Sequence, residues 1–91
     1  MRDSTVITPA DGIEEQARRE HASLADRAGE SPELRIEQCG HATAAITLEG
    51  DDAGQWLQDV LDATGASLTN DLTVMAEEDF ATGASALVVA L

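Results

Sequence analysis

Residues 42–65 read ATAAITLEGDDAGQWLQDVLDATG, and this stretch decides the fold. Its first half alternates, with Ala42, Ala44, Ile46 and Leu48 on one side and Thr43, Ala45 and Thr47 on the other. Successive side chains of a strand point to opposite faces, so this half reads as a strand buried on one face only. Gly50-Asp51-Asp52 breaks the alternation. Ala53, Trp56, Leu57, Val60, Leu61 and Thr64 then recur at helical spacing. Asp52 with Gln55 predicts a capping box at the start of that helix, and Gly65 predicts its stop. A strand and a helix that each have one apolar side must cover each other, which points to a sheet with helices on one face.

Upstream, Glu33 to Gln38 alternates too, with Leu34 and Ile36 inward and Arg35 and Glu37 outward. Together with residues 42–48 it predicts a hairpin turning at Cys39-Gly40-His41. Further upstream, Thr8-Pro9-Ala10-Asp11 carries the signals of a helix start: a threonine cap, a proline at the first helical position and an acid three residues after the cap. Asp11-Gly12-Ile13-Glu14 offers a competing cap. This helix is predicted to run to Ala28, with Gly29 as its stop. Its apolar stripe of Ile13, Ala17, Leu24 and Ala28 is narrow, so one side packs and the rest is wet.

Downstream, Leu72 and Val74 alternate with Thr73 and Met75 and favour a strand, although residues 67–80 also admit helix or loop. Glu77-Glu78-Asp79 reads as a charged turn. Ser85 to Leu91 (SALVVAL) is a continuous apolar run of strand length. It reads as a central or intersubunit strand, and a sheet edge formed by Ser85–Leu91 is the expected contact surface, because an open apolar edge invites pairing. The fold class is therefore α+β: a two-layer domain in α-β-β-α-β-β order, with about four mainly antiparallel strands and two helices packed on one face. Residues 1–8 read as a flexible arm and 9–91 as one small domain. No internal sequence repeat is visible.

The chain has 91 residues, eighteen carboxylates, five arginines and no lysine, for a net charge of -13. In dilute buffer this charge opposes compaction. At molar salt the Debye length is about 3 Å, and the repulsion nearly vanishes. Asp and Glu also carry more charge per unit of apolar surface than lysine, whose long stem covers apolar area. This is the composition expected of a salt-in halophilic archaeon. A nucleic-acid binder needs a basic patch to displace counterions. Here Arg18-Arg19 is surrounded by Glu14, Glu15 and Glu20. The balance argues against nucleic acid and against an anionic membrane. No run approaches a membrane span and no leader is visible, so the expectation is a cytoplasmic protein.

The site candidates are few. One cysteine excludes an intrachain disulfide framework. Cys39 and His41 are the one cluster of soft ligands, and they supply two of the four ligands that zinc wants. They are the candidate metal pair, or a candidate thiol site. Trp56 is the sole tryptophan, either a core plug or an interface anchor. Leu87, Val88, Val89 and Leu91 join it as candidate interface residues. The acidic runs at Asp51-Asp52 and Glu77-Glu78-Asp79 lack the spacing of a calcium loop and read as a solvated surface. No phosphate-binding, dinucleotide or catalytic motif occurs, so no cofactor is expected.

The run ITLEGDDAGQWLQDVLDATG at 46–65 resembles the strand, acidic turn and helix of small β-grasp proteins such as the ubiquitin-like sulfur carriers. That resemblance implies a carrier whose Gly-Gly tail is activated at its carboxylate. This chain has Val89-Ala90-Leu91 instead, so the alternative it implies is a carrier-type protein lacking that tail. The leading expectation is a non-catalytic interaction or regulatory domain. Its thin core makes a homo-oligomer, or an accessory subunit of a larger assembly, the expected state.

Overall fold

A computed structural model describes residues 8–68 and 72–90. The elements run α1 (Pro9–Ala28), β1 (Glu33–Gln38), β2 (Thr43–Glu49), α2 (Ala53–Ser67), β3 (Leu72–Phe80) and β4 (Gly83–Ala90). The α-β-β unit thus occurs twice, without a sequence repeat. The strands form one antiparallel sheet in the order β1-β2-β4-β3. Both helices lie on one face, as the alternation in residues 42–48 requires.

The local signals explain α1. The Thr8 hydroxyl accepts from the Asp11 amide and the Asp11 carboxylate accepts from the Thr8 amide, at 3.2 and 3.1 Å, so the Thr8 cap wins over the competing one. Thr8 therefore belongs to the helix rather than to an arm; residues 1–7 lie outside the described residues. Gly29 ends the helix in the left-handed region, at φ 87°, where a side chain would strain.

The start of α2 departs from expectation. Asp52 sits at its N-cap in the left-handed region, with φ 59°, and its side chain makes no capping bond. The capping box with Gln55 does not form, because the turn from β2 needs that backbone conformation. Gly50, at φ 138°, lies so close to Pro32 that a β-carbon would meet the proline 3.1 Å away. This tight turn sets the entry angle of α2. Gly65 does not stop the helix, which continues to Ser67. Single glycines are tolerated in a helix whose other side packs, at a cost of about 1 kcal/mol.

The core lies between the sheet and the helices. Ile13 and Ala17 come from α1, Leu57, Val60 and Leu61 from α2, Ala44, Ile46 and Leu48 from β2, and Ala84, Ala86 and Val88 from β4. Alternation in β4 is therefore real although the sequence there is apolar throughout: from Ala84 onward, even positions are buried and odd positions half-buried. The expected sheet edge at Ser85–Leu91 does not exist, because β4 lies between β2 and β3. The free edges are β1 and β3. The expected charged turn at Glu77-Glu78-Asp79 is also corrected: these residues continue β3, and the turn falls at Ala81-Thr82. Their ladder with β4 holds them extended whatever their own preference.

Candidate interaction surface

The Cys39–His41 turn is built by its backbone. The Cys39 amide donates to the Thr43 carbonyl at 2.9 Å and closes the hairpin. The His41 carbonyl accepts from the Ala10 amide at 3.1 Å, satisfying one of the free N–H groups at the start of α1. Both side chains are exposed, and the Cys39 thiol reaches only the Glu37 carbonyl, at 3.6 Å. Among the described residues no group of three His, Cys, Asp or Glu side chains could hold a metal ion. His21, the other imidazole, is engaged elsewhere. Its Nε2 lies 2.8 Å from the Pro32 carbonyl, which can only accept, so Nε2 carries the proton.

Trp56 is neither the central plug of the core nor fully free. It is half-buried, with its ring 5.6 Å from the His21 ring and tilted by 54°. Leu24, Arg27, Ala28 and Asp59 complete an open groove beside it, between the last turns of α1 and the first two turns of α2. Asp51, Asp52 and Asp79 gather around a separate hollow at the start of α2. It concentrates like charge, as an acidic surface does without any function.

The remaining candidates are the sheet residues. Val88 is fully buried beneath the helices, while Leu87 and Val89 are half-buried on the opposite, open face of the sheet. Leu91 lies outside the described residues. The register shows what surrounds Leu87 and Val89. Thr43, Ala45 and Thr47 of β2 stand beside Val89, Leu87 and Ser85 of β4. These six adjacent open-face positions carry no charge, in a chain whose residues are one quarter charged. Charge returns at the margins. Arg35 and Glu37 stand on β1, Glu49 at the end of β2 and Glu78 on β3. One cross-strand row reads Arg35, Thr47, Ser85, Glu78, positive at one end and negative at the other. Arg35 is the one basic side chain on the four strands, and its guanidinium approaches Glu49 only to 3.7 Å.

No family model matches this chain, no curated protein matches it, and no solved structure matches it. The β-grasp resemblance therefore rests on the 46–65 run alone, which does form a strand, a tight turn and a helix.

Sequence reasoning missed the row from Arg35 to Glu78, because strand order is a non-local property. The signal that pointed to this face was the outward set Thr43, Ala45 and Thr47. Outward positions of a half-wet strand in so acidic a protein should carry carboxylates, and these carry none.

Proposed function

We propose that this chain is a non-catalytic protein-interaction domain that docks through the open face of its sheet. It works at molar salt, in the cytoplasm of a salt-in halophilic archaeon, as a homo-oligomer or an accessory subunit. One observation carries the reading. Thr43, Ala45, Thr47, Ser85, Leu87 and Val89 form an uncharged centre on a protein of net charge -13. At high salt, carboxylates keep an acidic surface hydrated, and a surface that omits them is one that leaves water. Depletion of charge at the centre with polar residues at the rim is also the anatomy of protein interfaces. No helix of the described residues is long and apolar enough to cross a membrane. The metal or thiol alternative at Cys39 and His41 has no comparable support, since both are exposed turn residues with no further ligand beside them among the described residues.

A photo-crosslinking residue placed at Ala45 in cells grown at high salt tests the reading. A discrete covalent product is expected from Ala45 and none from the same residue at Gln55, on the exposed side of α2. Mass spectrometry of the product names what lies on the face. Equal labelling from the two positions, or none from Ala45, would overturn the proposal.

A further inference from the structure

We infer that the occupant of the open face is a second copy of this chain, docked sheet against sheet about a two-fold axis that runs parallel to the strands between β2 and β4. The inference rests on the preceding reading of the face as a docking surface. It follows from the order of charges in one row: Arg35 on β1, uncharged Thr47 and Ser85 in the middle, Glu78 on β3. A two-fold axis along the strands keeps height and exchanges left for right. It lays β1 of one copy over β3 of the other at the same level. Arg35 of each copy then faces Glu78 of its partner, twice per dimer, while Thr47 and Ser85 face each other across the middle. The neighbouring row behaves compatibly. Glu37, Ala45, Leu87 and Ala76 share a level, so Glu37 is laid over Ala76 and Ala45 over Leu87. No carboxylate of these two rows falls directly on another.

The dimensions fit. Sheets pack about 10 Å apart with strand directions within about 30°, a gap that an arginine and a glutamate reaching toward each other can span. Four strands about 4.8 Å apart and seven residues about 3.3 Å each give a plane of about 440 Å² per copy. Side-chain relief brings two such faces near the lower bound of specific interfaces, about 1,200 Å² in total. The dimer is accordingly a dissociable one.

The sheet edges are the competing route to a dimer, and the structure blunts them. β3 carries a bulge at Met75 and the acids Glu77, Glu78 and Asp79 along its free side, and β1 is six residues long with Glu33, Arg35 and Glu37. Bulges, edge charges and short edges are the devices that prevent edge pairing.

Sedimentation equilibrium of the full chain in molar KCl, from micromolar to millimolar, is the test. The wild type should show a monomer–dimer equilibrium. R35E and E78R should each weaken it by at least about fivefold, since each creates two like-charge contacts per dimer. Mixing the R35E chain with the E78R chain should recover affinity to within about threefold of wild type, because both contacts then join opposite charges again. A45E should abolish the dimer with an unchanged circular dichroism spectrum and Tm, and Q55E should leave it intact. A wild type that stays monomeric at millimolar concentration overturns the inference. So does a dimer indifferent to A45E, or the absence of recovery in the mixture. If the Ala45 crosslink then joins a different protein, the face is still a docking surface and only its occupant was misassigned. If it joins nothing, the broader reading falls as well.

Discussion

The two hairpins follow the same plan and end in different surroundings. Each is preceded by a helix, and each contributes one inner and one edge strand to the sheet. The β1 edge is held under α1. Leu34 and Ile36 pack against the core, and the Gln38 side chain donates to Asp11 at 2.7 Å and to Glu14 at 3.0 Å. The β3 edge has almost no cover. Leu72 alone packs against the core, Val74 is 41% exposed and Met75 62% exposed. Its helix-facing positions beyond the bulge are Glu77 and Asp79, and Gln58 of α2 donates to Glu77 at 3.3 Å. The difference lies in which side chains face the helices. Two aliphatic residues draw a helix over β1, and two carboxylates keep one off β3. β3 is therefore held by its ladder with β4, and the stability of that edge is the stability of the ladder.

The largest effect should come from the strands that the hairpins share with the core. Ile46 is fully buried on β2. Ile46→Ala should cost about 2–5 kcal/mol, the range for a buried aliphatic residue that leaves a cavity. Denaturant unfolding at fixed high salt measures it. A loss no larger than that of a surface substitution would mean that the helices do not close over the sheet centre.

Next comes the end of the second hairpin. A β-carbon on Gly83 would lie 2.5 Å from the Leu48 carbonyl oxygen and 2.6 Å from the Phe80 ring. The ring can turn away, but the carbonyl belongs to the backbone of β2. Gly83→Ala should destabilise by about 1–3 kcal/mol through the strain of overpacking. It should also speed amide exchange in β3 more than in β1, because the junction it disturbs is the one that holds β3. Equal acceleration in both edges would contradict the view that β3 hangs on β4.

The edges themselves can be compared directly. Ile36 and Val74 are both aliphatic residues at helix-facing positions of the edge strands β1 and β3. Ile36→Ala should cost about 1–2 kcal/mol, as partial burial implies. Val74→Ala should stay within about 0.5 kcal/mol, as for an exposed position. Comparable losses would show that β3 is covered in solution after all.

These contrasts also explain what could be read in advance. The helices and the first hairpin were legible because their signals are local: Thr8-Pro9 and Gly29 bracket α1, and periodicity marks α2 and β2. The acids of β3 were not. A strand with both faces in water needs no alternation, so Glu77-Glu78-Asp79 looked like a turn until β4 supplied its pairing. Asp52 looked like a cap because its residue type suits one, but the approach of Gly50 to Pro32 dictated the backbone there. The SALVVAL run reads as a central or an intersubunit strand, and its equally apolar odd and even positions do not separate the two; in the sheet it is central. Only the strand order shows that Val88 faces the core and Leu87 the open face. The row from Arg35 to Glu78 spans four strands and was beyond any local signal.

The smallest effect concerns the clamp that distinguishes β1. The Asp11 carboxyl is held below its ordinary value, first by the hydrogen bond from the Gln38 side chain and then by those from the Thr8 backbone and hydroxyl. A carboxyl whose pKa is lower folded than unfolded stabilises the fold above its unfolded value of 3.8, and that contribution is lost as pH falls through the folded value. Gln38→Ala removes the first cause and leaves the cap. Asp11 should then titrate higher, though still below 3.8, when followed by its side-chain carbon resonance. The acid side of the unfolding profile should flatten by the same sign, with neutral-pH stability almost unmoved because the group is exposed. The amides of Glu37 and Gln38 should exchange faster, bringing the end of β1 closer to the behaviour of β3. An Asp11 midpoint that does not move would assign the whole depression to the Thr8 cap. β1 would then be held by its ladder with β2 and the burial of Leu34 and Ile36.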